Sequence, residues 1–329
     1  MIFKEHEAVK SATKMPYNIG KGIYSQVMEL ADRNYYLAKA RYHYRLHRKQ
    51  KQYSGPPLIV FQMGKVGSQS IYRSLEGLGL DMPLYHSHLL TKARIKETEQ
   101  KRKKFFRTDR YSYLKRPWLN EFLRHQVDKG LSNGHKWKIV TLTREPLVRN
   151  ISTFFENLDV KLLDSGEEYA IKSDYYDIDT VVRADDDIQK LTDLFFDRIN
   201  HDSPLVFFDR ELKGVFGVDV YASEFPREKG YKIYEDAVAD VLLIRLENLN
   251  NCVGEAFKEF LDIDNFTVIK TNVAADKVYA ALYQEFRSRV VLPDAYIDKF
   301  YNSKYMRHFY SETEIRKFGE NWRRYPSLM

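Results

Sequence analysis

Leu58-Ile-Val-Phe-Gln-Met-Gly-Lys-Val-Gly-Ser-Gln-Ser-Ile-Tyr-Arg-Ser-Leu75 is the stretch whose reading decides the fold. Leu58–Met63 is an apolar run of buried-strand length. Gly64, Lys65, Gly67 and Ser68 follow as a turn, and Ser68–Leu78 has helical spacing through Ile71, Leu75 and Leu78. A strand that passes through a glycine turn into a helix makes a phosphate or sulfate cradle. Glycine lets the backbone approach an anion closely, and the free N–H groups of the helix start point at it. Lys65 adds a mobile positive charge, and Ser68, Gln69 and Ser70 add hydrogen-bonding side chains. It is not a nucleoside-triphosphate loop, because that pattern needs GxxxxGK[ST] and Lys65 is followed by Val66. Many helices also begin with Gly and Ser for structural reasons alone.

A second segment repeats the geometry. Trp137-Lys-Ile-Val-Thr-Leu-Thr-Arg-Glu-Pro-Leu-Val-Arg-Asn-Ile-Ser-Thr-Phe-Phe-Glu156 reads as strand, arginine at the strand end, then a helix with Pro146 in its first turn. Arg144 leaves the sheet beside the helix start, and Ser152 lies eight positions later, so the two can grip a second anionic group. Between these segments, Leu84-Tyr-His-Ser-His88 ends a strand predicted over Leu80–His86. His86 and His88 would face one side by the period of two. An imidazole, with an ordinary pKa near 6.5, suits general base catalysis at neutral pH. Two structural histidines at a strand end are the plainer alternative.

Outward from this centre, residues 23–52 read as a helix ending in a basic, aromatic stretch that can lie on a membrane surface or dock on the main domain. Gly55-Pro56-Pro57 marks a domain start. The chain therefore divides into a basic helical extension, residues 1–54, and an α/β domain, residues 55–329. Residues 92–129 read as largely helical with Pro117 as an interruption, and the acidic stretch from Glu156 to Asp187 as loop-rich. Helices over Ile188–Ile199 and from Ser203-Pro204, strands at Tyr231–Tyr234 and Val241–Leu246, and helices over 274–290, 294–309 and from Ser311 complete the pattern. Such alternation predicts a parallel, P-loop-like β-sheet flanked by helices, with a helical C-terminus.

Composition sets limits. The 329 residues carry 53 Lys+Arg against 46 Asp+Glu, a net charge of +7, and one cysteine, Cys252. That single cysteine excludes an intrachain disulfide framework and a cysteine-based zinc site. No apolar run approaches the roughly 18 residues that span a bilayer, and the amino terminus lacks an apolar signal core, so a cytoplasmic protein is expected, extending to the inner face of the membrane. The charge is patched. Residues 1–57 hold 11 Lys+Arg against 4 Asp+Glu, and residues 92–116 hold 11 against 3, enough to steer polyanions or simply to solvate helix faces.

Taken together, the two segments resemble sulfotransferases that use 3′-phosphoadenosine 5′-phosphosulfate. Gly64-Lys65-Val66-Gly67-Ser68-Gln69-Ser70 resembles the family's 5′-phosphosulfate loop, and Arg144 with Ser152 its 3′-phosphate site. Within that superfamily the chain is similar to the bacterial capsular polysaccharide synthesis group, through FQMGKVGSQSIY, YHSHL, TREPLVRNISTFFEN, FGVDVY and RHFYSETEI. The resemblance covers roughly residues 55–329. It departs from the family at Val66–Gln69, where many relatives carry Ser/Thr-Gly-Thr/Ser-Thr/Ser. It also departs at Arg316–Trp322, which is similar to the carboxy-terminal RKGxxGDW of cytosolic members only with altered spacing.

The resemblance implies the sulfotransferase fold, a donor bound as substrate, no metal, and transfer to a carbohydrate hydroxyl of a capsular or other cell-surface polysaccharide. Lys65 would stabilise the leaving phosphate oxygen, and His88 or His86 would be the base, as in some carbohydrate-modifying relatives; others use a carboxylate, for which Glu156 and the acidic stretch are alternatives. Two other functions compete: a non-catalytic nucleotide or polysaccharide binder, and a basic membrane-surface binder. No nucleic-acid motif is present, and none is expected as a partner.

Overall fold

The computed structural model describes residues 32–106, 111–131, 135–163, 168–173, 178–183, 187–269 and 277–323. Its centre is a five-stranded sheet. The strands β1 (Leu58–Phe61), β2 (Leu84–Ser87) and β3 (Trp137–Thr143) are joined by α2 (Ser68–Glu76) after β1, and by α3 (Lys92–Phe105) and α4 (Lys115–Lys129) after β2. After β3 comes α5 (Pro146–Glu156), then a small sheet of β4 (Asp159–Leu162), β5 (Glu168–Ser173) and β6 (Ile178–Arg183). The central sheet is completed by β7 (Tyr231–Glu235) and β8 (Ala239–Arg245), in the order β2-β1-β3-β8-β7.

Every residue of β1 is buried, as expected for a strand covered on both faces and paired in parallel on both edges. Leu58 sits opposite Leu84 on one side and Lys138 on the other. After β2 the chain crosses to the far side of β1, so the strand order reverses between β1 and β3. In open α/β sheets the ligand crevice lies beyond the carboxyl ends of the strands at such a reversal.

Several expectations are corrected here. The sheet is mixed: β7 runs antiparallel to β8, because residues 236–238 are too few for a crossover, which needs a dozen or more. The acidic stretch, expected as loop-rich, contains three strands, β4–β6, paired in an antiparallel sheet. Its Val160, Tyr169, Ile171 and Val182 are buried against the core, while Asp159, Glu168 and Asp179 alternate with them on the outer side of the strands. Pro117 does not interrupt a helix. It lies in the first turn of α4, where its missing N–H costs nothing, and α3 ends earlier, at Phe105. The helix expected over 294–309 is two, Asp294–Tyr301 and Lys304–Phe309, the second capped by Ser303 Oγ accepting from the Met306 N–H. Ser311 and Glu314 form the reciprocal capping box that opens Glu312–Arg323.

The amino-terminal extension is described from residue 32. Residues 1–31 lie outside the described part, as do 274–276 of the helix expected over 274–290, which is observed as Ala280–Arg289. α1 (Tyr35–Gln50) buries Ala38 and Leu46, and its His43 ring contacts the Trp118 carbonyl of α4 at 3.1 Å. Its other face shows Tyr36, Leu37 and Tyr44 to solvent at 78%, 56% and 63% exposure. Among the described residues no helix is long and apolar enough to cross a membrane.

Candidate functional site

The turn after β1 is built under backbone constraint. Lys65 has φ +70°, an uncommon region for a residue with a side chain, and Gly67 has φ +87°. A Cβ on Gly67 would meet Leu246 Cδ1 at 2.9 Å. Two arginines hold the turn from behind: Arg144 donates to the Lys65 carbonyl at 2.9 Å, and Arg149 Nε donates to the Gly64 carbonyl at 3.0 Å. With both carbonyls engaged there, the start of α2 at Gly67 has no side-chain cap. The N–H groups of its first turn are thus not satisfied by a side chain of the N-cap residue.

The start of α5 is different. Glu145 caps it, accepting from the Leu147 and Val148 N–H groups at 2.9 and 2.7 Å, and from Tyr301 Oη at 2.9 Å. Burial pushes the Glu145 carboxyl pKa up, against the pull of those donors. The anion site expected beside this helix would therefore draw on the Arg144 and Ser152 side chains and not on the capped helix end. Arg144 is positioned by buried Tyr305, whose hydroxyl meets Thr143 Oγ1, accepts from the Arg144 N–H at 3.1 Å and donates to its carbonyl at 2.8 Å.

His86 and His88 lie together at the end of β2, ring centroids 4.6 Å apart and edge to face. Tyr72 of α2 stacks on His86 at 5.5 Å. His88 Nδ1 is 2.8 Å from the Gln62 carbonyl. A carbonyl only accepts, so Nδ1 carries the proton and Nε2 the lone pair. Desolvation, joined by the charges of Arg116, Arg149 and Arg94, lowers the His88 pKa to about 4. Desolvation, then His88 and Arg116, lowers that of His86 to about 3. Both rings are neutral at pH 7.

These parts line one cavity of about 450 Å³, which includes Gly64, Lys65, Gly67, Ser68, Gln69, Ser70, Arg144, Ser152, His86 and His88. Val66 is the exception among the residues expected there: its side chain is fully buried in the core. Residues that sequence reasoning missed are Thr153, Asn157, Tyr279 and Tyr283, which line the cavity, and Arg149 behind the turn; Arg116, also lining it, ends the basic stretch 92–116. Arg149 carried a local signal, standing five positions after Arg144 on the helix that follows the strand. Glu156 also lines the cavity, bound to Lys65 Nζ at 3.2 Å and to Tyr279 Oη at 2.9 Å. Burial lowers the Lys65 pKa, while Glu156 supports its charged form. A neighbouring cavity of about 670 Å³ shares Arg144 and Leu246 with the first and is lined by Arg287, Phe318, Asn321 and Trp322 among others.

The sheet order lays the features out in a line across the strand ends: Leu246 after β8, Arg144 after β3, the glycine turn after β1, and the histidines at β2. Residues 179–311 match the family described as "Putative capsular polysaccharide synthesis protein". This segment begins in β6 and contains β7 and β8. The glycine turn, the histidines and Arg144 lie upstream of it. No curated protein and no solved structure matches the chain.

Proposed function

We propose that the protein is a sulfotransferase that moves a sulfuryl group from 3′-phosphoadenosine 5′-phosphosulfate to a carbohydrate hydroxyl, the acceptor being a capsular or related cell-surface polysaccharide or its precursor. The observation that carries this reading is the uncapped start of α2, lining with Lys65 the same cavity as a neutral histidine whose lone pair is on Nε2. The match of residues 179–311 supports the polysaccharide part.

In this reading the N–H groups at the start of α2 and Lys65 hold the phosphosulfate. Arg144 and Ser152 hold the 3′-phosphate, with the nucleoside directed toward the larger cavity at Phe318 and Trp322. His88 Nε2 takes the acceptor hydroxyl proton as the acceptor oxygen bonds to sulfur. The bond from sulfur to the bridging phosphate oxygen breaks, its electron pair stays on that oxygen, and Lys65 stabilises the charge. Positioning and electrostatics supply the acceleration, as in phosphoryl transfer.

The low basicity of both histidines favours one rival, a non-catalytic nucleotide or polysaccharide binder. Thermal denaturation with 3′-phosphoadenosine 5′-phosphate, followed by transfer of labelled sulfate to glycans, separates the two. The enzyme reading expects a raised melting temperature, lost in Lys65→Ala, and transfer lost in His88→Ala. Nucleotide binding without transfer leaves the binder; absence of any shift rejects both.

A further inference from the structure

Arg116 lines the cavity that holds the two histidines, and among the described residues it makes no hydrogen bond or ion pair. It stands in the first turn of α4, which contains no acidic residue, and the next two residues, Pro117 and Trp118, are buried. Its backbone is thus anchored while its side chain faces the cavity. Its charge reaches both histidine rings, lowering their proton affinity.

The other cations lining the cavity are engaged. Lys65 pairs with Glu156, and Arg144 holds the Lys65 carbonyl. Glu156, the single carboxylate among the lining residues, is further bound by Tyr279 and faces Lys277 at 3.9 Å, so it does not serve Arg116. A cation in a cavity loses water when a ligand fills it, and that loss is compensated only if the ligand brings an anion. The phosphosulfate and 3′-phosphate of the proposed donor are matched at β1 and β3. The remaining guanidinium, Arg116, lines the same cavity and acts on both histidines, the candidate bases that an acceptor hydroxyl would have to reach.

We propose that Arg116 forms an anion-binding subsite on the acceptor side, and that the acceptor is an acidic glycan with an anionic oxygen group, carboxylate or sulfate, near the hydroxyl that is modified. This rests on the sulfotransferase reading for the word acceptor, but the subsite itself can be tested without donor.

The test is binding of three probes to the full chain by calorimetry: an oligogalacturonate, a sulfated glucan oligosaccharide and a neutral maltooligosaccharide. The expected result is preference for one or both anionic probes, which also identifies the source of the charge. Arg116→Ala should weaken that binding about tenfold and Arg116→Lys less, because a guanidinium pairs with planar oxyanions in two hydrogen bonds. Lys129→Ala, exposed at the far end of α4, should change little and controls for general attraction of polyanions. Equal affinity for neutral and anionic probes, equal losses in Arg116→Ala and Lys129→Ala, or a loss of 3′-phosphoadenosine 5′-phosphate binding in Arg116→Ala would overturn the proposal. Anionic binding through Arg116 without any nucleotide shift in the wild type would keep the subsite and remove the donor reading.

Discussion

At the scale of single residues, the turn after β1 holds a side chain where glycine would be more comfortable. Lys65 sits at φ +70°, and a left-handed conformation costs an L-residue roughly 1–2 kcal/mol. The Lys65 ammonium lines the same cavity as the start of α2 and pairs there with Glu156 at 3.2 Å. Strain held at a binding turn is expected where surrounding contacts over-determine the backbone, here the arginine bonds to the Gly64 and Lys65 carbonyls. Comparing two variants separates backbone from charge. Lys65→Gly should be more stable than Lys65→Ala by about 1 kcal/mol, read as a denaturant midpoint, while neither binds the nucleotide. A less stable glycine variant would show that the turn is not strained. The motif legible at this scale was the spacing of Gly64, Lys65, Gly67 and Ser68; the φ values and the bonds from Arg144 and Arg149 to the turn carbonyls were not, since both depend on what packs beneath the loop.

Among the elements, α3 shows how a charge far away in sequence sets a helix. Glu211, fully buried in a π-helical stretch, Phe208–Lys213, accepts from the Leu90 and Thr91 N–H groups at 2.8 and 3.0 Å and from Arg94 at 3.0 Å. The helix start that follows β2 is thereby pinned just beyond His88. Removing one partner of a buried pair leaves uncompensated polar groups, so Glu211→Ala should destabilise by about 3 kcal/mol. Glu211→Gln, which keeps one oxygen acceptor, should lose less. Equal urea midpoints for Glu211→Ala and the wild type would sink this account. Sequence periodicity found α3 but not its cap, because a carboxylate from another helix leaves no local pattern. The same limit explains β4–β6, where acidic outer residues masked the inward alternation of Val160, Tyr169 and Ile171.

Across the whole molecule, His43, His86, His88, His201 and His308 all have pKa values lowered by burial. The unfolded chain therefore takes up protons that the folded chain refuses. With an unfolded histidine pKa near 6.5, the stability due to neutral histidines is complete above that pH. For His86 and His88 it is lost as pH falls from about 6.5 toward about 3 to 4. Denaturant midpoints should drop steadily between pH 6.5 and 4.5, and less steeply in a His86→Asn variant. A flat profile over that range would show that these rings are not held neutral.

What the sequence determined by itself was local: the apolar run of β1, the glycine turn, the arginine that ends β3, the paired histidines and the strand–helix alternation of an α/β fold. Each rests on spacing within one element. Only the tertiary structure decided the antiparallel β7, the buried side chain of Val66, the capping of α5 by Glu145, and the meeting of Arg116, Glu156 and Tyr279 around one cavity. These depend on burial and pairing between segments distant along the chain, where the free energy of a contact belongs to both partners and neither sequence alone carries it.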